Sequence, residues 1–333
     1  MKKDRVGRFY RPYMKEYVFV QLSADWLAEH LPGGLTAAVE VPLKEDDLKS
    51  LSEDRAVSPE EIGRNMLRVV GIDPTFPHTA AYLKFAVWLF GDDLADRLAK
   101  NADAAARQSL SDEAALSCRA ALALQPDHPE AALCLAIVYR NRYTAASEPE
   151  EIGLFKAESI EAFERLSKNW PQLAEPWYYL GYNYLNLGLY RKAQRSWQEY
   201  LKLSDHPETR QEISRRLAEL EEPVIIEDGV NQVLAGRYEA GLEILEPFVG
   251  GSYDGWWPLH YYLGLAFNQI GWQFRAIECF QKVLRLNPSH IDTMFELADA
   301  FAAVGDRVNE KKYRQKAELV QANISSEPMD PDA

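Results

Sequence analysis

Histidines, cysteines and carboxylates advertise chemistry when their spacing lets them converge. This chain has six histidines, His30, His78, His128, His206, His260 and His290, and no two stand four apart as a helical zinc pair requires. Five of them fall near expected helix ends or junctions. Asp127-His128-Pro129-Glu130 recurs as Asp205-His206-Pro207-Glu208, so those histidines read as joints between helices rather than ligands. No phosphate-binding loop, no GxSxG and no dinucleotide glycine pattern is present. Cys118, Cys134 and Cys279 are far apart in sequence, form no CxxC pair and fall on expected helices, which suits reduced, buried thiols. The carboxylates fall on expected polar faces and in loops. The expectation is therefore no metal, no cofactor and no enzyme, although a catalytic site built from dispersed residues would leave no such spacing.

Composition narrows the classes further. The 333 residues are 47% hydrophobic and 26% charged, which suits an ordered chain rather than a disordered one. A formal net charge of −14 argues against a nucleic-acid backbone as partner. No run approaches the roughly 20 apolar residues that span a bilayer. The apolar run Tyr17–Leu22 is short and soon meets Asp25, which argues against a secretory leader. A cytoplasmic protein is expected.

The elements that must position any site are legible in one stretch, Pro258 to Pro288. Leu263 and Phe267 share one helix face, and Ala276 and Phe280 share the matching face of a second helix. Gly264 and Ala276 are small enough for close backbone approach. Gly271 suits the left-handed turn between the helices, and Pro288 stops the second. The marks recur. An offset of 34 turns Leu263, Gly264, Phe267 and Gly271 into Leu297, Ala298, Phe301 and Gly305, and an offset of −83 gives Leu180, Gly181, Tyr184 and Gly188, then Ala193 and Trp197. With Trp177 added, Trp177-x-x-Leu180-Gly181-x-x-Tyr184 resembles the opening of a tetratricopeptide repeat, and residues 174–320 are similar to that family throughout. The resemblance implies an all-α fold, a right-handed superhelix of about six helix pairs, preceded here by a short irregular N-terminal region.

Taken in order, residues 1–57 read as a basic arm, a helix and an acidic linker. Lys2, Lys3, Arg5, Arg8, Arg11 and Lys15, interleaved with Phe9, Tyr10 and Tyr13, make either a solvated tail or an arm that docks on an acidic surface of its own chain or a neighbour. Val18, Leu22 and Trp26 step by four, so 17–31 is expected to be helical, while Val39, Val41 and Leu43 alternate as an extended piece would. Ser58-Pro59-Glu60-Glu61 is a helix start with a capping box. Residues 58–128 then read as degenerate repeat-like helices, and 129–323 as the superhelix, with a long inter-helix turn at about 142–153 and an extra helix at 208–221. Asp228-Gly229 stands where Leu-Gly is expected. The acidic tail 324–333 is expected to be disordered.

Solenoids of the resembled kind bind on the surface lined by the first helix of each pair. The residues beside the core stripe there are Arg140, Asn141, Tyr178, Tyr182, Asn186, Tyr261, Asn268, Gln269, Phe295 and Asp299. Rings and amides suit an extended or helical peptide. The family's clamp for a C-terminal carboxylate needs Lys, Asn and Arg at inner-face places where Tyr178, Tyr182, Tyr261 and Phe295 stand here, which argues against that ligand. The expected function is a protein- or peptide-binding scaffold, an adaptor or co-chaperone-like protein, with no nucleic-acid partner and no membrane insertion. The alternative is an enzyme or ligand-sensing regulator with a site between the N-terminal region and the groove. A self-assembling homo-oligomer is a third.

Overall fold

The computed structural model describes residues 4–30, 35–45 and 57–326. The expected acidic linker falls largely, and the expected disordered tail partly, outside those residues. Two compact units emerge, Met1–Asn183 with Lys202–Ser204, and Tyr184–Leu201 with Asp205–Ala333.

The first unit begins with α1 (Gly7–Tyr10), a 3-10 turn (Arg11–Glu16), β1 (Val18–Gln21), α2 (Ala24–His30) and β2 (Glu40–Leu43). β1 and β2 pair antiparallel, with Val18 opposite Leu43 and Val20 opposite Val41. The extended reading of 39–43 holds. The helix expected across 17–31 does not: its first part is a strand, because Val18, Phe19 and Val20 favour an extended backbone and β2 supplies the hydrogen-bond partners. The helix starts only after Ser23, whose hydroxyl accepts from the Trp26 N–H at 3.2 Å. Where it is described, the N-terminal region is tied into the body of the unit. Val6, Tyr10, Tyr17, Val41 and Leu43 are buried in the same core as Ile62, Met66, Val70, Tyr82, Phe85 and Phe155.

The basic arm is thus docked on its own chain. Arg5 meets Glu158 at 2.6 Å and also Glu161, and Arg8 meets Glu150 at 2.6 Å. Asp4 joins the buried Arg119, whose Nε also donates to the Gly71 carbonyl at 2.5 Å. Of the two readings of the arm, docking on an acidic surface of its own chain is the observed one.

Helices α3 (Pro59–Ile72), α4 (Thr79–Phe90), α5 (Leu94–Arg107), α6 (Ser111–Leu124), α7 (Pro129–Ala145) and α8 (Pro149–Asn169) complete the body of this unit, and α9 (Ala174–Asn186) carries its boundary. The Ser58 hydroxyl accepts from the Glu61 N–H at 3.1 Å, as the capping sequence requires. Neighbours α5–α6 and α7–α8 pack as pairs. The long turn expected at 142–153 is instead the short link 146–148. α7 runs on to Ala145, and Pro149 opens α8 with Glu150 and Glu151 in its first turn, where the helix dipole favours them.

The second unit holds α10 (Tyr190–Leu203, which ends in the first), α11 (Pro207–Glu219), α12 (Glu221–Leu234), α13 (Tyr238–Leu245), α14 (Trp257–Gln269), α15 (Gln273–Leu286), α16 (Ile291–Ala303) and α17 (Arg307–Ser326). The extra helix is α11. Pairs α12–α13, α14–α15 and α16–α17 pack as hairpins around Leu263, Phe267, Ala276, Phe280, Leu297 and Phe301. A Cβ on Gly264 would stand 2.5 Å from the Phe280 ring, so the glycine is what lets α15 approach α14. Gly229 does the same against Leu245, so the departure from Leu-Gly there keeps the close contact.

One turn geometry repeats. Gly188, Gly236, Gly271 and Gly305 have φ of 69°, 76°, 84° and 81°. The residue after each returns its N–H five residues back, as Trp272 does to Phe267 at 2.8 Å and Asp306 to Phe301 at 2.9 Å. Between α5 and α6 the same bond joins Leu110 to Ala105 at 3.0 Å, but the left-handed residue is Ser109, at φ 62°.

Candidate functional site

Each unit gathers part of the expected groove set. In the first, Arg140 on α7 lays its guanidinium 5.3 Å from the ring of Tyr179, and Tyr179 stacks on Phe163 at 4.9 Å. Tyr178 lies edge-on to Tyr179 and to Tyr182 at 5.2 and 5.1 Å. Asn141 is exposed, and its carbonyl accepts from Thr144. These residues make an aromatic patch with one cation.

In the second unit, Tyr261 on α14 is the centre. Its ring lies 6.4 Å from Trp257, 5.1 Å from His290 and 5.4 Å from Tyr262. His290 caps α16, its Nδ1 accepting from the Thr293 N–H at 3.2 Å, so its placement as a joint holds. Asn268 donates to Glu296 at 3.4 Å, Asp299 pairs with Arg314 at 2.6 Å, Phe295 is half-buried, and Asn186 and Gln269 are exposed. A cavity of about 410 Å³ opens beside Tyr261, walled by Tyr190, Trp256, Trp257 and Tyr262, with Glu227 and Asp292 among its lining.

The electrostatics of this place are acidic. The Tyr261 hydroxyl is pushed up to about 12, first by burial and then by the carboxylates of Glu296 and Asp292. Burial, with Asp299 beside it, holds the Glu296 carboxyl above the usual carboxylate range, partly offset by the Asn268 hydrogen bond. Spacing arguments singled out Tyr261 but missed Tyr190, Trp256, Trp257, Glu227 and Asp292. The Trp256-Trp257 pair just before the repeat was the one available signal, since large rings at a helix start have no core stripe to join.

Other candidate chemistry is internally engaged. His128 lies 2.9 Å from Asp96 and caps α7 through Nδ1. His260 contacts the Asp254 carbonyl at 2.9 Å, and Lys282 pairs with the Asp254 carboxylate at 2.7 Å. A cavity of about 400 Å³ in the first unit is lined by Lys44, Arg64, Arg68, Glu61 and Glu113, but Arg68 is already tied to Glu113. Among the described residues, no three His, Cys, Asp or Glu side chains group as a metal would need, and no helix is long and apolar enough to cross a membrane.

No protein-family profile matches the sequence, and no curated protein matches it. Among solved structures the chain is similar to a crystal structure of MamA, at 20% identity over 51% of this chain and 91% of that one, with a TM-score of 0.32. It is also similar to YrrB, described as a TPR protein with an unusual peptide-binding site, at 13% identity over 62% and 93%, TM-score 0.31. A third is PilF of Pseudomonas aeruginosa, at 12% identity over 71% and 99%, TM-score 0.33. Likenesses this distant carry no weight for what the chain binds. What the chain's own coordinates carry is its architecture: marks at constant offsets, glycine-led turns and paired helices packed on those marks make its repeats helix hairpins of the tetratricopeptide type.

Proposed function

We propose that the chain is a protein- or peptide-binding scaffold, of adaptor or co-chaperone-like kind, working in an aqueous, reducing compartment such as the cytoplasm. The first-helix residues named from the sequence, Tyr178 in the first unit and Tyr261 in the second foremost, are its contact residues. One observation supports this above the others: the aromatic cavity beside Tyr261 lies on the first helix of a hairpin whose other face is fully spent on the core, where Leu263 and Phe267 are 1% exposed. A surface of half-buried rings and amides suits recognition of an extended or helical peptide.

The test is a display of random peptides against the intact chain and against Tyr178→Ala with Tyr261→Ala. The intact chain is expected to enrich a peptide set, and the double variant to lose about ten-fold or more in affinity for it, at about 0.5–1.5 kcal/mol per ring contact. Equal enrichment by both proteins, or none by either, overturns the reading.

A further inference from the structure

The second unit's cavity has walls of one chemistry and a rim of another. Trp257 and Tyr261 are inclined at 67° to each other and both lie against the His290 ring, at 4.4 and 5.1 Å, and Tyr190 and Trp256 line the same space. Glu227 and Asp292 border that space, and Glu296 follows Asp292 by one helical turn. Glu227 accepts from the backbone N–H of Arg191 at 2.7 Å, while that arginine's guanidinium goes to Asp228. Among the described residues, no lysine or arginine side chain pairs with Glu227, Asp292 or Glu296.

The first unit shows how such a set behaves when it holds a cation. Arg142 lies 4.6 Å from the Phe155 ring, 5.5 Å from Phe9 and 5.6 Å from Tyr10. Its Nη1 meets Asp112 at 2.5 Å and its Nε meets Glu151 at 2.7 Å. Rings receive the flat faces of the guanidinium and carboxylates receive its edge, which is the combination that arginine satisfies and lysine does not. The second unit offers the same two ingredients with no guanidinium of its own chain between them.

We propose that this cavity receives an arginine side chain from a basic partner peptide. The inference rests on the binding-scaffold reading and names the chemistry of its ligand. The volume, about 410 Å³, suits one long side chain with part of its backbone. Arg5 and Arg8 of a second copy are not the occupant, because they are engaged with Glu158 and Glu150 of their own chain.

The experiment uses the full chain and three fluorescein-labelled octapeptides of Gly and Ser carrying two arginines, two lysines or two citrullines, read by anisotropy at physiological salt. Citrulline keeps the shape and removes the charge. The arginine peptide is expected to bind about ten-fold more tightly than the citrulline peptide, and more tightly than the lysine peptide. Trp257→Ala should erase that preference. Asp292→Asn, at an exposed site that leaves folding intact, should weaken the arginine peptide about three-fold, and Asp292→Asn with Glu227→Gln about ten-fold. Glu318→Gln changes the net charge equally but lies on α17 away from the cavity, and should leave binding within two-fold.

Equal binding of arginine and citrulline peptides overturns the proposal. So does a loss with Glu318→Gln as large as with Asp292→Asn, which would mean attraction to the acidic chain as a whole. A concentration-dependent mass abolished by Trp257→Ala would assign the cavity to a second copy and overturn it too. If random peptides are enriched through Tyr261 while the arginine peptide is not bound, the scaffold reading stands and only this inference falls.

Discussion

The carboxylate of Asp4 lies 2.5 Å from Nη2 of Arg119, a guanidinium only 7% exposed in the side chain. Arg119 has other partners, the carbonyls of Gly71 and Ile72 at 2.5 and 3.2 Å, so Asp4 supplies the charge and the backbone supplies the remaining acceptors. Removing one partner of a buried ion pair leaves the other uncompensated. Asp4→Ala should therefore destabilise the first unit by about 2 kcal/mol, below the full cost of a wholly buried pair because the carbonyls remain. Urea denaturation followed by circular dichroism measures it, and a change below about 0.5 kcal/mol would show that Asp4 is a surface residue in practice.

The turn at Ser109 carries a removable penalty. It is the one non-glycine among the described residues with positive φ, in a turn where four counterparts are glycine. Left-handed backbone costs a residue with a Cβ about 1 kcal/mol or more. Ser109→Gly should stabilise by about 0.5–1 kcal/mol, the gain being reduced by the extra freedom glycine has when unfolded. Gly271→Ala should do the reverse. A Ser109→Gly variant that melts at or below the parent temperature would contradict this.

Close helix approach makes two glycines unequal. A Cβ on Gly264 would meet the Phe280 ring at 2.5 Å, and one on Gly71 would meet the Leu116 backbone carbonyl at 2.4 Å. A ring shifts more easily than a backbone. Gly264→Ala should cost about 2 kcal/mol and Gly71→Ala about 3 kcal/mol, at the upper end for overpacking. The order of the two in chemical denaturation is the decisive reading.

Two carboxylates should pull the pH profile in opposite directions. Glu296 has a raised folded pKa, from burial first and Asp299 next, so the folded chain binds more protons and stability falls as pH climbs from about 4.3. Glu296→Gln should therefore stabilise at pH 7 and match the parent below about pH 4. Asp254 has a lowered folded pKa, chiefly through its hydrogen bond from Lys282 and then that from the Gly250 N–H. Its contribution is present above about pH 3.9 and lost as pH falls through the folded value, so Asp254→Asn should flatten the acid limb and leave the neutral plateau less stable. Melting temperatures at pH 3, 5 and 7 separate the two.

Much of this was readable in residues. Leu263, Phe267, Ala276 and Phe280 announce a hairpin because both the helical period and the stop at Gly271 are local. The repeat at Gly229 was harder, since its Leu-Gly mark is missing, yet the glycine alone was enough to keep α13 close. The strand at Val18–Gln21 was not readable, because Val18, Leu22 and Trp26 satisfy a helical period equally well and only pairing with β2, some 20 residues on, decides between them. The site shows the same limit. Tyr261 follows from repeat position, but its companions Tyr190 and Glu227 come from other helices, and nothing in the spacing of α14 points to either.

The docking of the arm has a consequence for synthesis. Arg5 is 153 residues from Glu158, so on the ribosome it emerges long before the helix that neutralises it. At roughly 5–20 residues per second, Arg5 and Phe9 wait about 10–30 seconds for Glu158 and Phe155 to be made. The seam between the arm and α8 is therefore sealed only after α8 has been made, however early the arm settles against α3.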